Sequence, residues 1–105
     1  MLTRIVKLTF EEEKIVDFIA FFDTIKTQVS SFENCYGMRL HQDIKHPNIV
    51  FTYSLWKDEQ ALNNYRDSAL FQGVWSTIKP WFRERAEAWS VDTYYEGGSF
   101  SPNQF

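Results

Sequence analysis

The stretch Ile49–Trp56, with the sequence IVFTYSLW, is the most informative part of the chain because both of its faces carry large apolar side chains. In a β-strand, successive side chains point to opposite sides of the sheet. One side has Ile49, Phe51, Tyr53 and Leu55, and the other has Val50, Thr52, Ser54 and Trp56. An antiparallel sheet with one face in water alternates more regularly than this. The stretch therefore predicts a strand covered on both faces, by helices on one side and by another sheet on the other.

Three further strands are predicted outward from this stretch. Residues 36–43 (YGMRLHQD) precede it and join it through a turn at residues 45–48. Residues 2–10 (LTRIVKLTF) alternate apolar and polar side chains, and residues 85–95 (RAEAWSVDTYY) alternate again near the end of the chain. Four strands of this length are enough for one sheet.

Helices are predicted between these strands. Apolar residues at spacings of three and four predict a long first helix, formed around Ile15, Phe18, Ile19, Phe22, Ile25 and Val29. Asp58 is the predicted N-cap of a short helix, and Ser68 is the predicted N-cap of the helix that follows it. Pro80 ends or kinks that last helix.

The element order predicts an α+β fold. It is the ferredoxin-like β-α-β-β-α-β arrangement, a four-stranded antiparallel sheet with helices on one face. Residues 1–95 are expected to form one domain, and residues 96–105 a flexible tail by composition. Phe100 and Phe105 in this tail are candidates for docking elsewhere on the molecule.

Aromatic side chains are unusually abundant, at 18% of the residues. A chain of 105 residues buries only roughly two-thirds of its unfolded surface, so a monomer hides this many rings with difficulty. Either a cavity is lined with rings or a partner covers some of them. Together with the two-faced strand, this favours a homodimer whose sheets pack face to face.

Several classes of function are disfavoured by composition. A net charge of −3 without a long basic cluster argues against nucleic acid as a partner. No apolar run approaches the roughly 20 residues of a membrane helix, and the single Cys35 has no internal disulfide partner. A cytoplasmic location fits these features. The spacing of His41, Asp43 and His46 matches no recurring metal motif, so no metal site is expected.

The stretch Phe51–Ser68 resembles the core of antibiotic biosynthesis monooxygenase (ABM) domains. In that family a strand ending in Trp, here Trp56, is followed by a short acidic helix and a Tyr-Arg-x-Ser step, here residues 65–68. The resemblance extends over roughly residues 1–95. It implies a dimeric α-β barrel with a pocket between each sheet and its helices. Members include cofactor-independent oxygenases of phenols, anthrones or quinols, haem-degrading enzymes and isomerases of small molecules.

Haem degradation is not expected within this resemblance. The haem-degrading members use an Asn in the first strand, a Trp in the short helix and a His ligand in the next helix. The corresponding positions here hold Val6, Tyr65 and Trp75. No cofactor is therefore expected.

A cofactor-free oxygenase requires a dry aromatic pocket, a base near the substrate hydroxyl and donors for the developing oxyanion. The predicted lining residues are Tyr65, Trp75, Trp56 and Phe71, although each is also an ordinary core residue. Asn64 can present an amide to substrate, or it can have only local partners. Arg39 and Arg66 can steady an anion, although surface ion pairs are the more usual role.

His41 is the candidate base because histidine titrates near neutral pH. It shares a strand face with Arg39 and Asp43, opposite Met38 and Leu40, and that face need not meet the helices. The plainer alternative is a histidine that faces water or the dimer interface.

Three hypotheses follow. The first is a cofactor-independent monooxygenase of a small electron-rich aromatic. The second is a non-catalytic dimeric module that holds a small apolar ligand in the same pocket. The third is an isomerase of a small carbonyl compound.

Overall fold

The computed structural model describes residues 1–100. In this range the elements are β1 (Leu2–Thr9), α1 (Ile15–Ser30), β2 (Cys35–Gln42), β3 (Ile49–Trp56), α2 (Glu59–Arg66), α3 (Ala69–Ile78) and β4 (Glu87–Val91). Short 3-10 turns at Glu12–Lys14 and Lys79–Trp81 precede α1 and follow α3. Pro80 lies in the second of these turns, where α3 has ended. No helix in residues 1–100 combines the length and apolar character needed to cross a bilayer.

The four strands form one antiparallel sheet in the order β2-β3-β1-β4. β1 and β3 pair along their whole length, from Leu2 opposite Trp56 to Thr9 opposite Ile49. Gly37 sits at a bulge in β2, with a φ of 154° that side chains rarely adopt. The predicted α+β class and ferredoxin-like arrangement are confirmed, with the second helical region divided into α2 and α3.

The last strand is shorter than predicted. It was expected over residues 85–95, whereas β4 covers only Glu87–Val91. Within residues 1–100, β4 pairs only with β1, and Val91 already lies opposite Thr3, near the start of the chain. Residues beyond Val91 therefore have almost no strand left to pair with. Residues 96–100 contain no helix or strand, and Phe105 lies outside the described residues.

Both predicted helix caps are confirmed. The Asp58 side chain accepts a hydrogen bond from the backbone N–H of Ala61 at 2.9 Å. The Ser68 hydroxyl accepts one from the N–H of Phe71 at 3.1 Å and donates to the carbonyl of Tyr65 at 2.6 Å. Ser68 therefore fixes the end of α2 and the start of α3 together.

The core lies between the sheet and the helices. Phe10 and Val50 are fully buried there, and the Phe10 ring stacks on that of Phe18 in α1 with centroids 4.4 Å apart. A second buried group forms around Trp56, Ala61 and Leu62 where β3 meets α2. The rings of Tyr65, Phe71 and Trp75 connect the two groups.

Replacing Ser68 with Ala is expected to lower the free energy of unfolding by about 1 kcal/mol, because an N-cap is lost. Urea unfolding followed by circular dichroism measures this change. Ser76→Ala is the matched control in the same helix, because the Ser76 hydroxyl bonds only the Gly73 carbonyl on an exposed surface. An equal loss in both variants would contradict the capping role.

Candidate functional site

A cavity of about 350 Å³ lies between the sheet and helices α2 and α3. Its lining is largely apolar, and its polar lining side chains are few. Those polar side chains are Arg4, Thr52, Ser54, Tyr65 and Arg66. Pockets that are mostly apolar with a few placed polar groups are the usual sites for small organic ligands.

The cavity exists because small side chains line it on one edge of the sheet. Ala86 precedes β4 and Ala88 lies within it, and both line the space. Ala88 pairs with Val6, so neither strand fills the volume beneath α3. On the inner strand β3, the large Trp56 faces the helices. The change from large to small residues leaves a pocket where a uniform core would have none.

Four aromatic side chains line the cavity, one from β3 and three from α2 and α3. Trp56 and Tyr65 stack with ring centroids 5.0 Å apart, and Phe71 meets Tyr65 edge-on at 5.2 Å. Phe71 and Trp75 are nearly parallel at 5.8 Å. The rings form a continuous wall that can pack against a planar ligand. These four residues are the aromatic side chains that the sequence analysis predicted to line a pocket.

Trp56 is held in place by its own hydrogen bond. It is 1% exposed, and its indole N–H donates to the Ser54 hydroxyl at 2.9 Å. Both atoms are satisfied inside the protein, so Trp56 offers its ring and no polar group to a ligand. Its role in the cavity is to form a rigid wall.

Tyr65 is the phenol among the lining groups. Burial raises its pKa to about 12, with a smaller contribution from nearby Cys35. Burial likewise raises the pKa of the Cys35 thiol. Both groups therefore keep their protons at neutral pH. Tyr65 is a hydrogen-bond donor in this site and is unsuited to act as a general base.

Two arginines approach the cavity from different elements. Arg4 lies on the helix-facing side of β1, and its Nη1 donates to the Ser90 hydroxyl of β4 at 3.0 Å. Arg66 is at the end of α2. Burial lowers the pKa of Arg4, and the positive charge of Arg66 lowers it further. Arginine remains charged despite such a shift, so two like charges lie near one another beside an apolar space.

His41 and Asn64 do not join this site. His41 pairs with Phe51 across β2 and β3, on the sheet face turned away from the helices. Asn64 is exposed on α2 and accepts a hydrogen bond from the side-chain amide of Gln60 at 2.8 Å. The structure therefore separates the candidate base and the candidate amide from the four aromatic residues. Among residues 1–100, those that line the cavity include no histidine or carboxylate.

Sequence reasoning missed Arg4. The signal was present, because Arg4 alternates with Leu2, Val6 and Leu8 and so interrupts an apolar strand face. Arg66 was named from the sequence as a residue that can steady an anion, with a surface ion pair as its more usual role. In residues 1–100, no cluster of three or more His, Cys, Asp or Glu side chains is arranged to hold a metal ion.

The fold and cavity define a ferredoxin-like α+β domain with an aromatic pocket between its sheet and its helices. The chain belongs to the antibiotic biosynthesis monooxygenase family, because the sequence profile of that family matches residues 1–74. No curated protein matches it in sequence.

Solved structures share the fold. A crystal structure of an antibiotic biosynthesis monooxygenase superposes with a TM-score of 0.85, at 19% identity over 90% of this chain and 100% of the other. A conserved protein from Methanosarcina mazei Go1 has a TM-score of 0.79, at 21% identity over 87% and 91%. A protein from Mycobacterium tuberculosis has a TM-score of 0.81, at 11% identity over 92% and 98%. Identities this low show a common fold and say nothing about substrate.

The raised pKa of Tyr65 predicts a loss of stability at high pH. The folded state keeps the Tyr65 proton up to about pH 12, whereas an unfolded tyrosine loses it near pH 10. The stabilising contribution is therefore complete below about pH 10 and disappears as pH rises to about 12, at a cost of about 3 kcal/mol. Urea unfolding across this range measures it.

Tyr65→Phe should reduce that pH-dependent loss, because phenylalanine has no proton to release. Tyr94→Phe is the control, since Tyr94 is fully exposed. The assignment to Tyr65 fails if the two variants lose stability with the same pH dependence.

Proposed function

We propose that this protein is a cofactor-independent monooxygenase that oxidises a small electron-rich aromatic, of the quinol, phenol or anthrone type, with O2. The observation that carries the proposal is the aromatic cavity of about 350 Å³ between sheet and helices in a member of this family. Its rings match a planar substrate in shape and polarity. The largely apolar walls also exclude water from the reacting carbon.

The chemistry requires little from the protein. A phenol with an unsubstituted C–H para to its hydroxyl reacts with one O2 to give a quinone and one water. The substrate supplies all four electrons, so no further reductant enters the reaction. Ionisation of the phenol raises its electron density and allows the first electron to pass to O2. The protein must therefore hold the substrate and favour its ionised form.

Tyr65 is the residue we assign to the substrate oxygen. Because its pKa is about 12, its hydroxyl is protonated at neutral pH and can donate to a phenolate. The rings of Trp56 and Phe71 contact the Tyr65 ring and hold it in place. The substrate proton leaves to water, since the described lining residues supply no histidine or carboxylate to accept it.

That same lack of a base favours a second function. A module that only holds a small apolar ligand needs the cavity and no titrating group. The isomerase hypothesis receives no comparable support, because enolisation of a carbonyl compound requires a positioned base.

Oxygen uptake by the metal-stripped protein with a panel of quinols and anthrones, corrected for autoxidation, distinguishes these functions. We expect saturable uptake, and we expect Tyr65→Phe to lower kcat on the order of a hundredfold by removing an oxyanion donor. Trp75→Phe should raise KM. Trp81→Phe is its control, because Trp81 packs on Phe21 and does not line the cavity. Uptake no faster than autoxidation would favour the binding module.

Homodimerisation is part of the proposed function. The sheet face away from the helices carries Ile5, Phe51 and Leu55, together with Trp89 and Val91. Trp89 is 45% exposed and Val91 is 40% exposed. Contiguous apolar surface of this kind is typical of a protein interface. A second copy whose sheet packs on this face would cover it.

Light scattering at micromolar protein is expected to give about twice the chain mass of 12.5 kDa. Trp89→Lys should give the monomer mass, because it introduces a charge into the proposed interface. Val16→Lys is the control, since Val16 is 74% exposed on α1. A monomer mass for the unmodified protein would rule out this interface.

A further inference from the structure

We propose that Arg4 and Arg66 form an anion clamp at the cavity, and that the ligand is an aromatic carboxylate. This inference deepens the proposed function, because it specifies the substrate as a hydroxylated aromatic acid. It rests on the same cavity. The clamp itself requires only binding and does not depend on reaction with O2.

Neither arginine has an acidic partner among the residues that the structure describes. Among residues 1–100, the cations within 4.0 Å of a carboxylate include Lys7, Lys14, Lys26 and Arg83, paired with Glu87, Asp17, Asp23 and Glu12 respectively. Arg4 and Arg66 form no such pair. The chain carries a net charge of −3, so acidic residues are not scarce. Both arginines therefore line the same cavity without a carboxylate within 4.0 Å among the described residues.

The two positive charges come from different elements and meet at one cavity. Arg4 comes from β1 and Arg66 from α2, yet both side chains line one cavity and repel each other. Burying part of a charge without an opposite charge costs free energy. An anion between the two guanidinium groups removes the repulsion and compensates the partial burial. Ser90 orients Arg4 by accepting its Nη1–H at 3.0 Å.

The chemistry of arginine indicates which kind of anion it would bind. Arginine is charged at every physiological pH, so the matching group is one that is also charged there. A carboxylate meets this requirement, whereas an ordinary phenol with a pKa near 10 does not. The planar guanidinium fork also fits the two oxygens of a carboxylate. The aromatic wall beside the arginines then accepts the ring to which the carboxylate is attached.

The test is isothermal titration calorimetry with naphthoate and with naphthamide of the same ring position. The two probes have nearly the same shape and differ in charge, and neither has a hydroxyl to oxidise. We expect the unmodified protein to bind naphthoate about tenfold or more tightly than naphthamide, since charge-assisted hydrogen bonds are worth about this much. The preference should weaken at high salt.

Arg4→Gln should lower naphthoate affinity about tenfold and leave naphthamide affinity unchanged. Arg66→Gln should have a smaller effect of the same kind, because Arg66 is more exposed and better screened. Unchanged naphthamide binding in each variant shows that the cavity is intact. Arg66→Gln keeps the test valid if Arg4→Gln does not fold. Arg83→Gln is the control, because Arg83 pairs with Glu12 and does not line the cavity.

Equal affinity for the two probes, no measurable naphthoate binding, or an equal loss in Arg83→Gln would each overturn the clamp. Its failure is distinguishable from failure of the monooxygenase proposal. A protein that prefers naphthoate but consumes no O2 retains the clamp without the reaction. A protein that oxidises quinols but binds both probes equally retains the reaction without the clamp.

Discussion

The structure depends on the burial of Trp56 at the end of β3. Its indole N–H is satisfied by the Ser54 hydroxyl, and its ring stacks on Tyr65 of α2 at 5.0 Å. Tyr65 in turn meets Phe71 of α3. This contact fixes the height of both helices above the sheet. Because its indole N–H is satisfied within the protein, Trp56 presents an apolar ring to the cavity.

The cavity follows from an asymmetry across the sheet. The large Trp56 on β3 packs against Tyr65 of α2, whereas Ala86 and Ala88 near the β4 edge leave space beside it unfilled. The charges of Arg4 and Arg66 lie beside that space, and no carboxylate in residues 1–100 forms an ion pair with either of them. The two like charges repel each other in the free protein, and the proposed ligand of opposite charge would remove that repulsion. A packing feature and an electrostatic feature thus point to one site.

The sheet face turned away from the helices is partly exposed. This face carries apolar side chains beside the ion pair of Lys7 and Glu87. No helix in the described chain covers it, and Trp89 remains 45% exposed. Residues 92–100 reach part of this face, where Asp92, Glu96 and Phe100 line a groove with Tyr53. His41 belongs to this face. Its chemistry is therefore separated from the aromatic cavity by the thickness of the sheet.

Local patterns in the sequence determined the element order, the two faces of each strand, both helix caps and the four aromatic residues of the cavity. Alternation and capping are short-range, so they can be recognised without a partner segment. The same alternation put His41 on the face away from the helices. Tertiary structure alone decided the shortened β4, the volume of the cavity and the approach of Arg4 to Arg66. These depend on which segments pair across the sheet and on how high the helices sit above it, and long-range packing sets both.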